Sequence, residues 1–170
     1  MVSIVLLAAD PARPSPSPEA VVRTLTALIP GAIEGVVKDV VLAGPPENSD
    51  LRRIADHAGC ELVEGEPTHL LQSALAATRD AIVLVLLAGD IPGEGFVDEL
   101  SDLLLEGPPS ALMRRRAEGL WQTILPRTAP ISGILAPKAQ LSAGQPMHFL
   151  QLVGRASGSR LLETRTRSVR

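Results

Sequence analysis

Two short apolar runs, at residues 2–8 and 81–87, place the strongest limit on how this chain can fold. Neither run is long enough to cross a bilayer, and neither alternates regularly between polar and apolar residues. This pattern is typical of strands that are buried on both faces of a sheet. Between the two runs, shorter apolar segments alternate with stretches of helical spacing, which predicts right-handed βαβ crossovers. We therefore predict a three-layer α/β/α domain with a mostly parallel central sheet.

The predicted elements cover most of the chain. Strands are expected at 2–8, 40–43, 60–63, 81–87 and 111–113, with less regular ones at 120–124 and 161–162. Helices are expected at 19–29, 50–58, 69–78, 94–105, 137–142 and 147–152. Pro30 and Gly31 end the first helix, Ser49 caps the second, and Gly59 ends that second helix. The last ten residues are polar and are expected to fray.

Charge is divided unevenly along the 170 residues, which are enough for one domain. Residues 1–106 carry 6 Lys or Arg against 17 Asp or Glu, a net charge of −11. Residues 107–170 carry 10 against 2, a net charge of +8. Either the two parts neutralise each other within one fold, or the basic part faces an acidic partner or a membrane surface.

Composition excludes several classes of function. Aromatic residues make up 2% of the chain, which argues against readers of single-stranded nucleic acid and against carbohydrate modules built on stacked rings. We therefore predict no nucleic-acid partner. With Cys60 alone, neither an intrachain disulfide nor a cysteine-based zinc site can form, so a cytoplasmic location is expected. No membrane span is predicted.

Ligands of α/β proteins bind beyond the carboxyl ends of the strands, here the loops 8–18, 43–50, 64–68 and 88–95. These loops offer seven acidic side chains and one amide: Asp10, Glu47, Asp50, Glu64, Glu66, Asp90 and Glu94, with Asn48. Such a rim suits a divalent cation that carries phosphates, although solvated loop acids look the same in a sequence. The arginines at 114–116 either grip phosphate or form a solvated run. No Walker A, G-x-G-x-x-G or G-x-S-x-G motif is present, and His57, His69 and His148 lack partners at metal or triad spacing.

Several of these segments also resemble, in the same order, segments of a known enzyme family. VSIVLLAAD at 2–10, VRTLTALIP at 22–30, EGVVKDVV at 34–41 and DLRRIADHAGC at 50–60 resemble the nucleotide-binding half of a family 2 glycosyltransferase. AIVLVLLAGD at 81–90 and GFVDEL at 95–100 resemble its D-x-D strand and the helix after it. GILAPKAQLSAG at 133–144 resembles the segment before its acceptor-side helix. The resemblance implies one domain of the GT-A (nucleotide-diphospho-sugar transferase) type over 1–170, with a nucleotide-binding-type half at 1–106 and a basic, acceptor-side-type half at 107–170.

The resemblance also implies a site. The nucleotide would contact Ala8, Asp10, Gly44, Ser49, Asp50, Gly89 and Asp90. Asp90 is the one acid retained at the D-x-D position, and it would be the ligand of Mn²⁺ or Mg²⁺. The family's paired Asp falls on Ala43 and Gly44 here, and its catalytic acids fall on 145–149, which contain no Asp or Glu. Glu118, near Trp121, is the remaining candidate base, and the alternative for it is a turn acid paired with arginines.

The function implied is transfer of a sugar from a nucleotide-sugar donor, and homo-oligomerisation is left open. One alternative is a non-catalytic protein of this fold that binds a nucleotide or a partner. Another is a molybdenum-cofactor-type nucleotidyltransferase, since LVLLAGDIP at 84–92 resembles a strand end of those enzymes. Their glycine-rich loop corresponds to LAADPAR at 7–13, which keeps the arginine but lacks the glycines and the lysine that hold a triphosphate.

Overall fold

The computed structural model describes residues 1–11, 13–107, 110–116, 129–144, 148–155 and 159–168. The strands are β1 (Val2–Leu7), β2 (Val37–Gly44), β3 (Glu61–Glu64), β4 (Ile82–Leu87), β5 (Asp90–Pro92), β6 (Ala111–Arg114), β7 (Ile131–Pro137), β8 (Arg160–Leu161) and β9 (Thr166–Ser168). The helices are α1 (Pro18–Ile33), α2 (Ser49–Ala58), α3 (Pro67–Ala77), α4 (Phe96–Glu106), α5 (Lys138–Ser142) and α6 (Phe149–Arg155). No described helix is long and apolar enough to cross a membrane.

The central sheet has seven strands in the order β3-β2-β1-β4-β7-β6-β8. The strands β3, β2, β1 and β4 are parallel to one another, whereas β7 is antiparallel to both β4 and β6. The short strands β5 and β9 form a separate antiparallel pair. The predicted α/β architecture with a mostly parallel central sheet is confirmed.

Helices cover both faces of this sheet, which explains the uninterrupted apolar runs. Ile4 and Leu6 of β1 pack in one core with residues of α1, α2 and α4. Val5 and Leu7 pack in a second core with residues of α3, α5 and α6. Successive side chains of a strand point to opposite faces, so a strand between two helical layers is apolar at most positions. Ser3 is the polar exception in β1, and its hydroxyl donates to Asp39 and accepts the Asp80 N–H at 2.8 Å.

The ends of two helices differ from the predictions. The helix α1 continues through Pro30 to Ile33, beyond the predicted end at Pro30 and Gly31. Pro30 removes the hydrogen bond from its own nitrogen to the carbonyl of Thr26, but both residues are exposed, so water can satisfy that carbonyl. The N-cap of α2 is Asn48, whose side chain accepts the Leu51 N–H at 3.0 Å.

One further predicted boundary is wrong, one is confirmed, and one predicted strand cannot be compared with the structure. Ser49, the predicted cap, is the first residue of α2. Gly59 ends α2 in the left-handed region with φ 66°, as predicted. The predicted strand at 120–124 lies outside the described residues.

The strand β7 was not predicted, although it lies between β4 and β6 in the sheet. Its sequence carries Gly133 in the middle and Pro137 at the end, which are residues typical of turns. The space beside it is tight, because a Cβ on Gly133 would lie 3.3 Å from Leu86 Cδ1 and 3.4 Å from the Val85 carbonyl oxygen. The close approach of β4 thus accounts for a glycine in a central strand.

The predicted fraying of the last ten residues is wrong for the described part, residues 161–168. The strand β9 pairs with β5, and Thr166 is fully buried. Thr166 Oγ1 donates to Ser132 Oγ at 2.7 Å, and Ser132 Oγ donates to the Met113 carbonyl at 3.3 Å. The hydroxyl of the buried Thr166 is therefore satisfied by β7 rather than by water.

Glu99 of α4 holds the chain between β8 and β9. Its two carboxylate oxygens accept the N–H groups of Glu163 at 2.6 Å and Thr164 at 2.9 Å. We expect Glu99→Ala to raise the hydrogen-exchange rates of these two amides and to lower the free energy of unfolding by about 1–2 kcal/mol, since two backbone donors lose a charged acceptor. The control is Glu94→Ala, because Glu94 is exposed just before the same helix. Unchanged exchange at both amides would contradict this role.

Candidate functional site

The strands β1 and β4 are neighbours, and their carboxyl ends are level, because Leu7 pairs with Leu87. The chain continues from β1 to β2 on one side, whereas β4 lies on the other side, so the strand order reverses between them. Ligands of open α/β sheets bind in the crevice at such a point. A cavity of about 430 Å³ lies there, with Asp10, Arg13, Leu87 and Arg114 among its lining residues, and we call it the switch-point cleft.

Asp90 lies beside this cleft and is fully buried. Arg13 Nη1 donates a hydrogen bond of 2.9 Å to Asp90 Oδ2, and Arg115 Nη2 lies 2.8 Å from Oδ1. The arginine side chains are 25% and 23% exposed, respectively. One carboxylate therefore binds two guanidinium groups, from the loop after β1 and from the end of β6.

Local structure explains why these groups meet. Gly89 has φ 88°, which turns the chain after β4, and its N–H donates to Thr24 Oγ1 of α1 at 3.0 Å. The Arg13 N–H donates to the Asp10 carbonyl at 3.0 Å, which closes a turn after β1. The Arg115 N–H donates to the Pro130 carbonyl at 2.9 Å, so Arg115 follows β6 in register.

The side chains of Arg114 and Arg115, at and just after the end of β6, make different contacts. Arg114 lines the switch-point cleft and donates through Nη1 to the Ala129 carbonyl at 2.7 Å, whereas Arg115 reaches Asp90. Both residues are half-buried, and Arg116 is exposed. The first two residues of this run therefore belong to the site rather than to a solvated surface.

The structure brings some of the predicted nucleotide-binding residues together. Asp10 and Asp90 lie at the same edge of the sheet and are joined by Arg13, which lines the cleft with Asp10. Asp10 Oδ2 also accepts the N–H of Phe149, the first residue of α6, at 3.0 Å. This bond fixes one wall of the cleft to the end of β1.

The other predicted contacts have structural roles. The Ala8 N–H donates to the Ala43 carbonyl at 2.7 Å. Gly44 packs against α2, where a Cβ would meet Leu51 Cδ1. Ser49 begins α2 and is exposed, and Asp50 forms an exposed ion pair with Arg53 at 3.1 Å. Contact of these residues with a nucleotide stays a prediction.

Glu64 and Asp90 of the predicted rim form ion pairs with arginines. Glu64 Oε2 lies 2.7 Å from Arg52 Nη2, and this hydrogen bond lowers the pKa of Glu64. Asp90 has its two arginines, and Glu47 is in the left-handed region with φ 60°. Glu64 and Asp90 are therefore each neutralised by arginines of their own.

The residues around Asp90 do not fit a divalent cation. Hard cations need several oxygen ligands at fixed positions, but both oxygens of Asp90 face guanidinium groups. Among the described residues, no group of three or more His, Cys, Asp or Glu side chains could hold a metal ion. A cation at Asp90 would have to displace an arginine from a buried carboxylate, which leaves that arginine without its counter-ion.

The remaining candidates lie away from this chemistry. Burial raises the pKa of the Cys60 thiol, which makes it a poor nucleophile, and Cys60 lines a separate cleft of about 860 Å³ between α1 and α2. His57 also lines that second cleft. Glu118 and Trp121 lie outside the described residues.

The comparisons with known proteins identify the fold. No protein-family model and no curated protein sequence matches the chain. Glucosyl-3-phosphoglycerate synthase from Mycobacterium tuberculosis, solved with phosphoglyceric acid, is similar with a TM-score of 0.68 and 17% identity, over 99% of this chain and 72% of the synthase chain. The chain has the GT-A fold. This confirms the fold that the sequence resemblance implied.

Two further similar structures show what share of their own length is covered by this chain. The same synthase with Mn²⁺, UDP and glucosyl-3-phosphoglycerate matches with a TM-score of 0.58 and 21% identity over 82% of this chain. That match spans only 57% of the synthase chain. A 4-diphosphocytidyl-2C-methyl-D-erythritol synthase from Anaerococcus prevotii matches with a TM-score of 0.65 and 11% identity, over 99% of this chain and 89% of that one.

The contact of Arg13 and Arg115 with Asp90 was not predicted from the sequence. Arg13 was noted only as the arginine kept from the nucleotidyltransferase loop pattern, and Arg115 only within the run 114–116, which was to grip phosphate or to be solvated. The division of charge between the halves was the available signal, because Arg115 pairs with Asp90 and Arg160 pairs with Glu106 across that division. The pattern indicated pairing between the halves but not which residues pair.

Proposed function

We propose that this chain binds a nucleotide-linked sugar in the switch-point cleft and serves a sugar-transfer reaction. The observation that carries the proposal is the position of an arginine-lined cleft at the strand-order reversal of a GT-A fold. Its volume of about 430 Å³ lies in the range of small-molecule sites. Structures with the same fold hold UDP or UDP-glucose, which supports this class of ligand.

The cleft suits the diphosphate and sugar part of such a ligand. Arg13 and Arg114 supply positive charge, and Leu87, Ile131 and Leu150 supply an apolar surface. Guanidinium groups bind phosphate oxygens through paired N–H donors, while apolar walls exclude water. For the acceptor side, Glu118 remains the proposed base, and its replacement by Gln should then reduce transfer about a hundredfold or more.

The test is calorimetric titration of the protein with UDP-, GDP- and CDP-linked sugars, with the free nucleosides, and with CTP and UTP. We expect at least one nucleotide-linked sugar to bind and the nucleosides to bind far more weakly, because they lack the diphosphate. Preference for a triphosphate would favour a nucleotidyltransferase instead. Absence of binding by every nucleotide would overturn the proposal and favour a partner-binding role.

A blocking variant locates the site. Leu150 lines the cleft and is 57% exposed, so Leu150→Trp adds bulk to the cleft without entering the core. Leu105 is 83% exposed on α4, which packs on the other face of the sheet, so Leu105→Trp is the matched control. We expect the first variant to abolish binding of the nucleotide-linked sugar and the second to retain it. Equal affinities in the two variants would place the ligand elsewhere.

A further inference from the structure

The charges around the switch-point cleft favour an anion. Among the described residues, three arginines, Arg13, Arg114 and Arg115, lie in or beside the cleft, against two carboxylates, Asp10 and Asp90. The balance of these five groups is positive by one charge. A cation is repelled by such a balance, whereas a phosphate group is attracted to it.

Asp90 does not use all the hydrogen-bonding capacity of its arginines. A guanidinium group has five N–H donors in a rigid plane. Among the described residues, Arg13 donates to Asp90 through Nη1, and the Nε of Arg115 is buried without a hydrogen-bond partner. Each side chain keeps about a quarter of its surface exposed, at 25% and 23%. Both groups are therefore held in place, and their exposed parts, which do not include the Nε of Arg115, can still meet a ligand.

We propose that Arg13 and Arg115, held by Asp90, bind the diphosphate of the ligand directly, so that this site works without a divalent cation. The inference deepens the proposed function and rests on it for the identity of the ligand. A divalent cation and a pair of guanidinium groups both present positive charge to phosphate oxygens. Here the carboxylate that would hold the cation holds the guanidinium groups instead.

The role of Asp90 in this arrangement is to position the two arginines. A free arginine side chain loses conformational entropy when it binds an anion, and an arginine already held by a buried carboxylate has lost most of it. Arg13 comes from a loop with four prolines in residues 11–18, where the backbone has little freedom. The paired arginines are therefore preorganised for an oxygen anion.

The experiment uses inorganic pyrophosphate and UDP as probes, both titrated in EDTA, with UDP titrated also in Mn²⁺. We expect pyrophosphate to bind in EDTA and UDP to bind with similar affinity in EDTA and in Mn²⁺. Arg13→Gln and Arg115→Gln should each weaken pyrophosphate binding about tenfold or more, because each removes charge-assisted hydrogen bonds. Arg23→Gln is the control, because Arg23 is an exposed arginine of α1 outside the switch-point cleft.

A second variant guards against loss of folding. Arg13→Lys keeps the charge but not the planar set of donors, and we expect pyrophosphate affinity between those of wild type and Arg13→Gln, with an unchanged melting temperature. Binding of UDP only in Mn²⁺ would overturn the inference and leave the proposed function standing. Pyrophosphate binding that Arg13→Gln and Arg13→Lys leave unchanged would also overturn the inference. Binding of pyrophosphate through both arginines, but of no nucleotide-linked sugar, would support the anion site and overturn the proposed function.

Discussion

Asp90→Asn is expected to lower the free energy of unfolding by about 3 kcal/mol, because it removes the shared counter-ion of two largely buried arginines. The substitution keeps the shape of the side chain and changes only its charge and donors. The carboxylate accepts from Arg13 at 2.9 Å and faces Arg115 at 2.8 Å. An asparagine at this position turns an amide NH₂ group toward one of the guanidinium groups, so that donors face donors.

The measurement is equilibrium denaturation of Asp90→Asn beside Asp102→Asn. Asp102 is exposed on α4, so the same chemical change there should alter stability by no more than about 0.5 kcal/mol. Added pyrophosphate should recover part of the lost stability in Asp90→Asn, because an anion can replace the missing carboxylate charge between the arginines. A loss of stability as small as that of Asp102→Asn would show that Asp90 does not hold the arginines.

Phe149→Ala is expected to lower the free energy of unfolding by about 3–5 kcal/mol, the range for a large aromatic side chain removed from a core. Phe149 is 1% exposed and packs in the core formed with α3 and α5. It is the first residue of α6, and its N–H is bound by Asp10. The same residue therefore fixes α6 to the sheet and to the end of β1.

The matched control is Leu150→Ala on the same helix. Leu150 is 57% exposed, so its truncation should cost about 1 kcal/mol or less. Chemical denaturation of both variants gives the comparison, and nucleotide titration of Phe149→Ala shows whether the cleft wall moves. If both variants lose equal stability, α6 is not anchored through Phe149.

Much of the fold could be predicted from local patterns. The runs at 2–8 and 81–87 are two-sided strands because the apolar residues of β1 and β4 pack alternately in the cores on the two faces of the sheet. Gly59 ends α2 because the chain adopts φ 66° there, which glycine adopts without strain. These features follow from residues close together in sequence, so a sequence pattern reports them directly.

The strands of the second half could not be predicted in the same way. Gly133 fits in the central strand β7 because β4 passes close to it and leaves little room for a side chain. This short distance depends on the register between β4 and β7, which the residues next to Gly133 in the sequence do not reveal. The strands β5 and β9 have three residues each and include Pro92. They exist as strands because they pair with each other, from distant parts of the chain.

The sequence by itself determined the alternation of strands and helices, the burial of β1 and β4, and the presence of an acid after the fourth strand. The tertiary structure alone decided what that acid does. Arg13 and Asp90 are 77 residues apart, and Arg115 reaches the same carboxylate from the end of β6. Backbone hydrogen bonds and apolar packing leave local periodic patterns in a sequence, whereas an ion pair between distant residues leaves none, because its partners meet only after the sheet has set their positions.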